Sequence, residues 1–154
     1  MNQEIKEIIV SREDAVFWMD GNGRWHNEHG PFEHPKIIDY FHTAIRKDAG
    51  GYYLTQEYNN IREKVYFPYQ ETALFVFDVI KGDTMTLLLN TKKKVPLSPD
   101  DLFIRNDQLF MWFEDDCLKF SDHALTRVSD CIDEVDGQTV FQMGDRMHII
   151  ADED

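Results

Sequence analysis

The chain has 154 residues, 42% of them hydrophobic and 13% aromatic, with a formal net charge of −13 when histidine is neutral. That length and apolar content fit one globular unit, or two small halves sharing a core, and exclude general disorder. Residues 1–100 hold 12 Lys or Arg against 15 Asp or Glu, and residues 101–154 hold 4 against 14, so the last third repels phosphate backbones and anionic headgroups and argues against nucleic acid and membrane surfaces as partners.

The amino terminus, MNQEIKEIIV, is broken by charge every few residues and is not expected to be a signal peptide. Ala15 to Met19 is aromatic and β-branched, and Asp20-Gly21-Asn22-Gly23 suits positive φ, which predicts a strand and a tight turn returning through Arg24-Trp25-His26. Pro31 and Pro35 punctuate a loop, with Pro35 in the first turn of a helix predicted over 35–48. Ile37, Ile38, Phe41 and Ile45 form its apolar stripe, Arg46 and Lys47 suit its carboxyl end, and Gly50-Gly51 supplies the stop. Tyr52 to Leu54 and Lys64 to Phe67 read as strands around a turn at Tyr58-Asn59-Asn60.

Ala73 to Ile80 is the longest apolar run, too short to span a bilayer and suited to a strand covered on both faces. Lys81-Gly82-Asp83 turns it back into Met85 to Leu89, Thr91 to Lys94 is a basic tip, and Pro96 to Pro99 a loop. Leu109 to Phe113 reads as a strand ending at Glu114-Asp115-Asp116. Ser121 is the expected N-cap of a second helix with Leu125, Val128 and Ile132 on one face and Asp136-Gly137 at its exit. Asp130, Asp133 and Glu134 oppose the macrodipole in its last turn, so this helix should be short. Thr139 to Phe141 and Met147 to Ile150 close the chain as a hairpin across Gly144-Asp145, before a disordered tail over 152–154. In both halves a helix is followed by a pair of strands, which predicts an α+β fold of two small related halves, residues 1–70 and a β-rich 71–151, each a helix packed on antiparallel strands.

Cys117 and Cys131 match neither a redox pair nor a zinc knuckle and read as buried thiols in a reducing compartment. His26, His29, His34 and His42 form the densest polar cluster, and Glu28 or Glu33 could add an oxygen ligand, but the spacing matches no standard metal site and solvent-facing loop histidines are the stronger reading. Glu57, Glu63, Glu71 and Asp78 offer carboxylates for acid–base work only if folding pairs them. Arg46, Arg62 and Lys64 are cations in the less acidic part of the chain, where Trp25, Tyr52, Tyr53 and Tyr66 supply aromatic faces. Cations beside an aromatic wall are what a stacked base and phosphate require; core packing is the competing use of those rings. The lysines after Asn90-Thr91 lack the glycines of a phosphate loop and read as a soluble hairpin tip.

Gly23-x-Trp25, the Gly30-Pro31 step, an amphipathic helix ending Arg46-x-Asp48, Gly51-Tyr52-Tyr53-Leu54, Glu63-Lys64-Val65 and the apolar strand closing in Asp78-Val79 follow one another in an order that resembles the bacterial domain of unknown function 1285 family. After Asn90 the likeness thins, and the acidic third departs from the pattern. The resemblance implies an α+β fold whose second half is loosely similar to pleckstrin-homology-like barrels. It also implies a cleft between the halves, no established enzyme activity, and ligand-responsive signalling through a nucleotide-like molecule. By position it marks Trp25, Arg46, Tyr53, Glu63 and Lys64 in the first half and Asn90 in the second. The sequence therefore predicts a cytoplasmic, non-enzymatic module holding a small anionic ligand between its halves. Its rivals are an acidic adaptor for a basic protein partner and, below that, a metal-dependent hydrolase.

Overall fold

A computed structural model describes residues 4–153. The chain divides into two compact units, Met1–Ala73 and Leu74–Asp154, each with one α-helix and several strands, an α+β architecture.

In the first unit β1 (Lys6–Val10) leads through a 3₁₀ turn to β2 (Phe17–Met19), β3 (Trp25–Asn27) and β4 (Gly30–Pro31); α1 (Pro35–Ala44) follows, then β5 (Arg46–Asp48), β6 (Gly51–Tyr58) and β7 (Ile61–Tyr66). Strands β2, β3 and β4 form a small antiparallel sheet, and a second sheet runs β1-β7-β6-β5, with β1 parallel to β7. Trp25 is the centre of the core, with ring centroids 4.8 Å from Phe67, 5.3 Å from Phe41 and 5.9 Å from Phe17, all edge-on. Edge-to-face packing places a ring's positive edge on its neighbour's negative face, which favours this geometry over parallel sandwiches.

The helix is shorter than the predicted 35–48. Ile45 leaves the helical region at φ −59°, ψ 129° and its side chain is buried, so the apolar stripe is completed in space by a residue already outside the helix. Arg46, Lys47 and Asp48 then pair with Tyr53, Tyr52 and Gly51, and the two glycines serve a hairpin turn rather than a helix stop. Gly51 sits at φ +117°, a conformation glycine adopts without a Cβ penalty.

The second unit begins with β8 (Leu74–Ile80), β9 (Thr86–Leu89) and β10 (Lys94–Pro96), so the predicted loop at Pro96 opens in an edge strand, where a missing N–H is tolerated. A 3₁₀ turn at Pro99–Asp101 precedes the meander β11 (Leu102–Arg105), β12 (Gln108–Phe113) and β13 (Asp116–Phe120). After α2 (Asp122–Val128) a 3₁₀ turn at Ser129–Cys131 precedes a second meander, β14 (Ile132–Val135), β15 (Gln138–Met143) and β16 (Arg146–Ile149), and then β17 (Ala151–Asp152). Ser121 caps α2 by accepting the Ala124 N–H at 3.2 Å. The helix ends before Asp130, Asp133 and Glu134, which removes the clash with its dipole; Asp136-Gly137 is a hairpin turn at positive φ, not a helix exit.

Strands β10-β9-β8-β13-β12-β11-β17 form one sheet and β14-β15-β16 another, and the pairs β8–β13 and β11–β17 are parallel. The strands are thus not all antiparallel as predicted. A register shift between Val76 and Asp78 turns both Val76 and Val79 into the core, which strict alternation would forbid. The expected tail is ordered at its start: Asp152 pairs with Ile104 and the Glu153 N–H donates to the Ile104 carbonyl at 2.8 Å; residue 154 lies outside the described residues.

The two meanders of this unit are copies. The 3₁₀ turns at 99–101 and 129–131, the first strands at 102 and 132, the second at 108 and 138, and the third at 116 and 146 are each offset by thirty residues. Equivalent positions are apolar and buried in both: Phe110 and Val140, Met111 and Phe141, Phe120 and Ile150. Val76, Leu118, Met111, Phe141, Ala124 and Val128 meet in one cluster with α2 as its lid. Leu118→Ala, at a fully buried position between β8 and β12, is expected to cost about 2–5 kcal/mol, since the space left cannot collapse completely; urea denaturation should show a lower midpoint with an unchanged slope.

Candidate functional site

The hairpins of the first unit's larger sheet set the site. Asn59 and Asn60, at φ 47° and 61°, make the two-residue turn between β6 and β7 whose twist matches the flanking strands. The resulting register lines up Arg46 on β5, Tyr53 on β6 and Tyr66 on β7. Because side chains alternate, Tyr52, Leu54 and Val65 are buried on one face, while Arg46, Asp48, Tyr53, Lys64 and Tyr66 occupy the other.

On that second face Lys64 is ion-paired with Asp48. Its ammonium lies 4.3 Å from the Tyr53 ring centroid and 5.3 Å from that of Tyr66, within cation–π range of both. The Tyr66 hydroxyl donates toward the Asp48 carboxylate, 3.0 Å from Oδ1 and 2.9 Å from Oδ2, and the Gly50 N–H donates to Oδ1 at 2.8 Å. Lys64, through its hydrogen bond, followed by Gly50 and Tyr66, holds the Asp48 carboxyl below its ordinary value against the opposing effect of burial; Asp48 in turn raises Lys64. A methyl group on Gly50 would come within 2.8 Å of the Tyr66 ring, so a larger residue there would push the ring aside. Arg12, unmarked by sequence, reaches the same turn and donates to the Gly50 carbonyl at 3.1 Å. Arg46 is exposed, and its Nη1 donates to the carbonyls of Thr43 at 3.1 Å and Ile45 at 2.9 Å, placing a cation where the helix dipole is negative.

Arg46, Tyr53 and Lys64 of the predicted site thus share one face. Glu63 is on the opposite face, where it accepts the Tyr58 hydroxyl at 2.6 Å and raises that phenol's pKa. Trp25 is a core residue whose Nε1 donates to Nδ1 of the buried His42 at 3.1 Å, so it presents no ring for stacking. Asn90 belongs to the second unit, where it and Phe75 exchange two bonds: Phe75 N–H to Asn90 Oδ1 at 3.0 Å and Asn90 N–H to the Phe75 carbonyl at 2.9 Å. That buried amide extends the β8 ladder beyond the end of β9.

The histidines disperse. His26 pairs with Asp20 at 2.7 Å, His42 is in the core, and His34 precedes α1. His29 and His34 line a cavity of about 360 Å³ with Phe32, Glu33 and Ile37. Among the described residues no group of three or more His, Cys, Asp or Glu is placed to hold a metal ion. Asp78 faces His123 at 3.3 Å and Arg127 at 3.5 Å, and Arg62 pairs with Glu57 at 2.8 Å, so these charges serve ion pairs. Cys117 and Cys131 are half-buried thiols rather than fully buried ones. No helix among the described residues is long and apolar enough to cross a membrane.

The Asp48–Lys64 pair has a defined pH dependence. A carboxyl lowered in the folded state adds stability above its unfolded pKa, and that stability is lost as pH falls through the folded value; a raised ammonium loses its share only in strong alkali. Lys64→Met should therefore bring the Asp48 titration, followed by carboxyl carbon NMR, up toward the ordinary range near ~3.9. It should also flatten the acid limb of the stability profile.

No family profile matches the chain, and no curated protein matches it. Among solved structures, the crystal structure of a DUF1285 family protein from Silicibacter pomeroyi DSS-3 aligns with 95% of this chain and 84% of its own, at a TM-score of 0.64 and 12% identity. A DUF1285 family protein from Shewanella baltica OS155 aligns with 70% of this chain and 84% of its own, at a TM-score of 0.49 and 12% identity. The fold of this chain is therefore that of a DUF1285 family protein, a likeness that supports the family its sequence resembles.

Proposed function

We propose that the protein is a non-enzymatic, cytoplasmic binding module for a small anionic, nucleotide-like ligand, used in signalling, and that the polar face of the β5-β6-β7 sheet contacts that ligand. The observation that carries this reading is the lysine held between two tyrosine rings, with Arg46 opposite Tyr53 in the strand register. Tyrosine offers a ring for stacking, and Lys64 and Arg46 offer charge-assisted donors. Asp48 fills the place an incoming phosphate would take on Lys64, so ligand and carboxylate compete for one ammonium.

That competition makes the test specific. A thermal-shift panel of nucleoside phosphates, cyclic nucleotides, sugar phosphates and inorganic phosphate should find an anion that raises the melting temperature, because a ligand binding only the native state adds about 2.7 kcal/mol at a hundred times its Kd. Lys64→Met should remove the shift, and Asp48→Asn should enlarge it by freeing the ammonium. No shift with any anion, or an unchanged shift in Lys64→Met, defeats the reading.

A further inference from the structure

A cleft of about 320 Å³ opens within the second unit where its two meander copies approach α2. Ile104 and Leu109, which face each other across β11 and β12, form its floor with Leu125 of α2 and Ile132 of β14. Three carboxylates surround this apolar surface: Asp107 in the β11–β12 turn at φ 61°, Glu134 on β14, and Asp152 on β17 opposite Ile104. Thr139 Oγ1 donates to Glu134 at 3.2 Å and fixes its direction. Among the described residues no Lys or Arg pairs with Asp107, Glu134 or Asp152, whereas the adjacent Glu153 is taken by Arg105 at 3.3 Å.

We infer that this cleft binds an extended segment of a partner protein that places an arginine side chain, flanked by an apolar residue, over Leu109 and Leu125. Charge complementarity selects the occupant. An arginine lays its methylene stem on apolar surface while its planar fork of donors engages several carboxylates at once, which the compact ammonium of lysine does less well. The sheet order selects a peptide over a free cation: β17 is the last strand of its sheet, and among the described residues nothing pairs with its outer edge. A partner strand added there runs past Asp152 and into the cleft. This surface is in the second unit and stands or falls independently of the anion reading.

Methyl and amide NMR of the full chain, titrated with the peptide acetyl-Val-Leu-Arg-Leu-Val-amide, tests the inference. Saturable shifts should be confined to Ile104, Leu109, Leu125, Ile132 and the Ala151–Asp152 amides. The same peptide with citrulline for arginine, isosteric but neutral, should bind at least ~10-fold more weakly, as charge-assisted bonds are replaced by neutral ones. A doubly neutralised Glu134→Gln, Asp152→Asn protein should lose affinity for the arginine peptide to the same degree, and its spectrum reports whether the fold is kept. Should that variant unfold, Asp107→Asn alone should still weaken binding several-fold, by the loss of one charge-assisted partner. Equal binding of the citrulline peptide overturns the inference, as do shifts scattered over the acidic surface, spermidine binding as tightly as the peptide, or no saturable shift.

Discussion

The second unit depends on one parallel ladder, in which Leu74, Phe75 and Val76 pair with Leu118, Lys119 and Phe120. These strands lie more than forty residues apart in sequence, so closing the ladder costs loop entropy that local contacts cannot return. What offsets the cost is apolar burial: Phe75, Val76, Leu118 and Phe120 are all nearly inaccessible to solvent. The ladder joins the β8–β9–β10 hairpin to the first meander as one sheet. It also runs directly into α2, because the Ser121 N–H donates to the Val76 carbonyl and the next residues begin the capped helix. Without that ladder the helix would have no surface to cover, and the cleft beside Leu125 would have no wall.

The first unit is organised by register. Two tight hairpins fix β5, β6 and β7 so that Tyr52, Leu54 and Val65 face the core while Asp48, Tyr53, Lys64 and Tyr66 face the other way, and a slip of one residue would exchange them. The same rule explains why Glu63 and Lys64, adjacent in sequence, have unrelated surroundings: one meets Tyr58 at the edge of the packed face, the other Asp48 and two tyrosine rings. A charged residue's neighbours in a sheet come from its partner strands, two residues away along the chain or many.

Much of the local structure was legible. The helix start at Pro35, the cap at Ser121, the turn at Asn59-Asn60 and the closing hairpin at Gly144-Asp145 are set by residue types that act over a few positions. The end of α1 was not, because Arg46 and Lys47 are as suitable for a helix terminus as for a strand, and burial of Ile45 together with pairing to Tyr52 and Tyr53 decided between them. The strands at Leu102–Arg105 and Asp116–Phe120 and the thirty-residue duplication are not legible in the sequence because the copies share hydrophobicity more than identity: Met111 answers Phe141, and Phe120 answers Ile150.

The sequence by itself determined the elements whose causes are local: where chains turn, where α2 starts, which runs are apolar, and how the charge is shared along the chain. Tertiary structure alone decided which polar residues meet. Arg46, Tyr53 and Lys64 converge because sheet register brings three strands together; Trp25 is withdrawn because the rings of Phe17, Phe41 and Phe67 exclude water around it. The acidic third, which by composition repels phosphate backbones and anionic headgroups, acquires a definite place in the molecule only where folding sets three of its carboxylates around an apolar cleft. Composition records how many charges a surface carries, and proximity, which sets their energy through distance and solvent exclusion, exists only once the chain is folded.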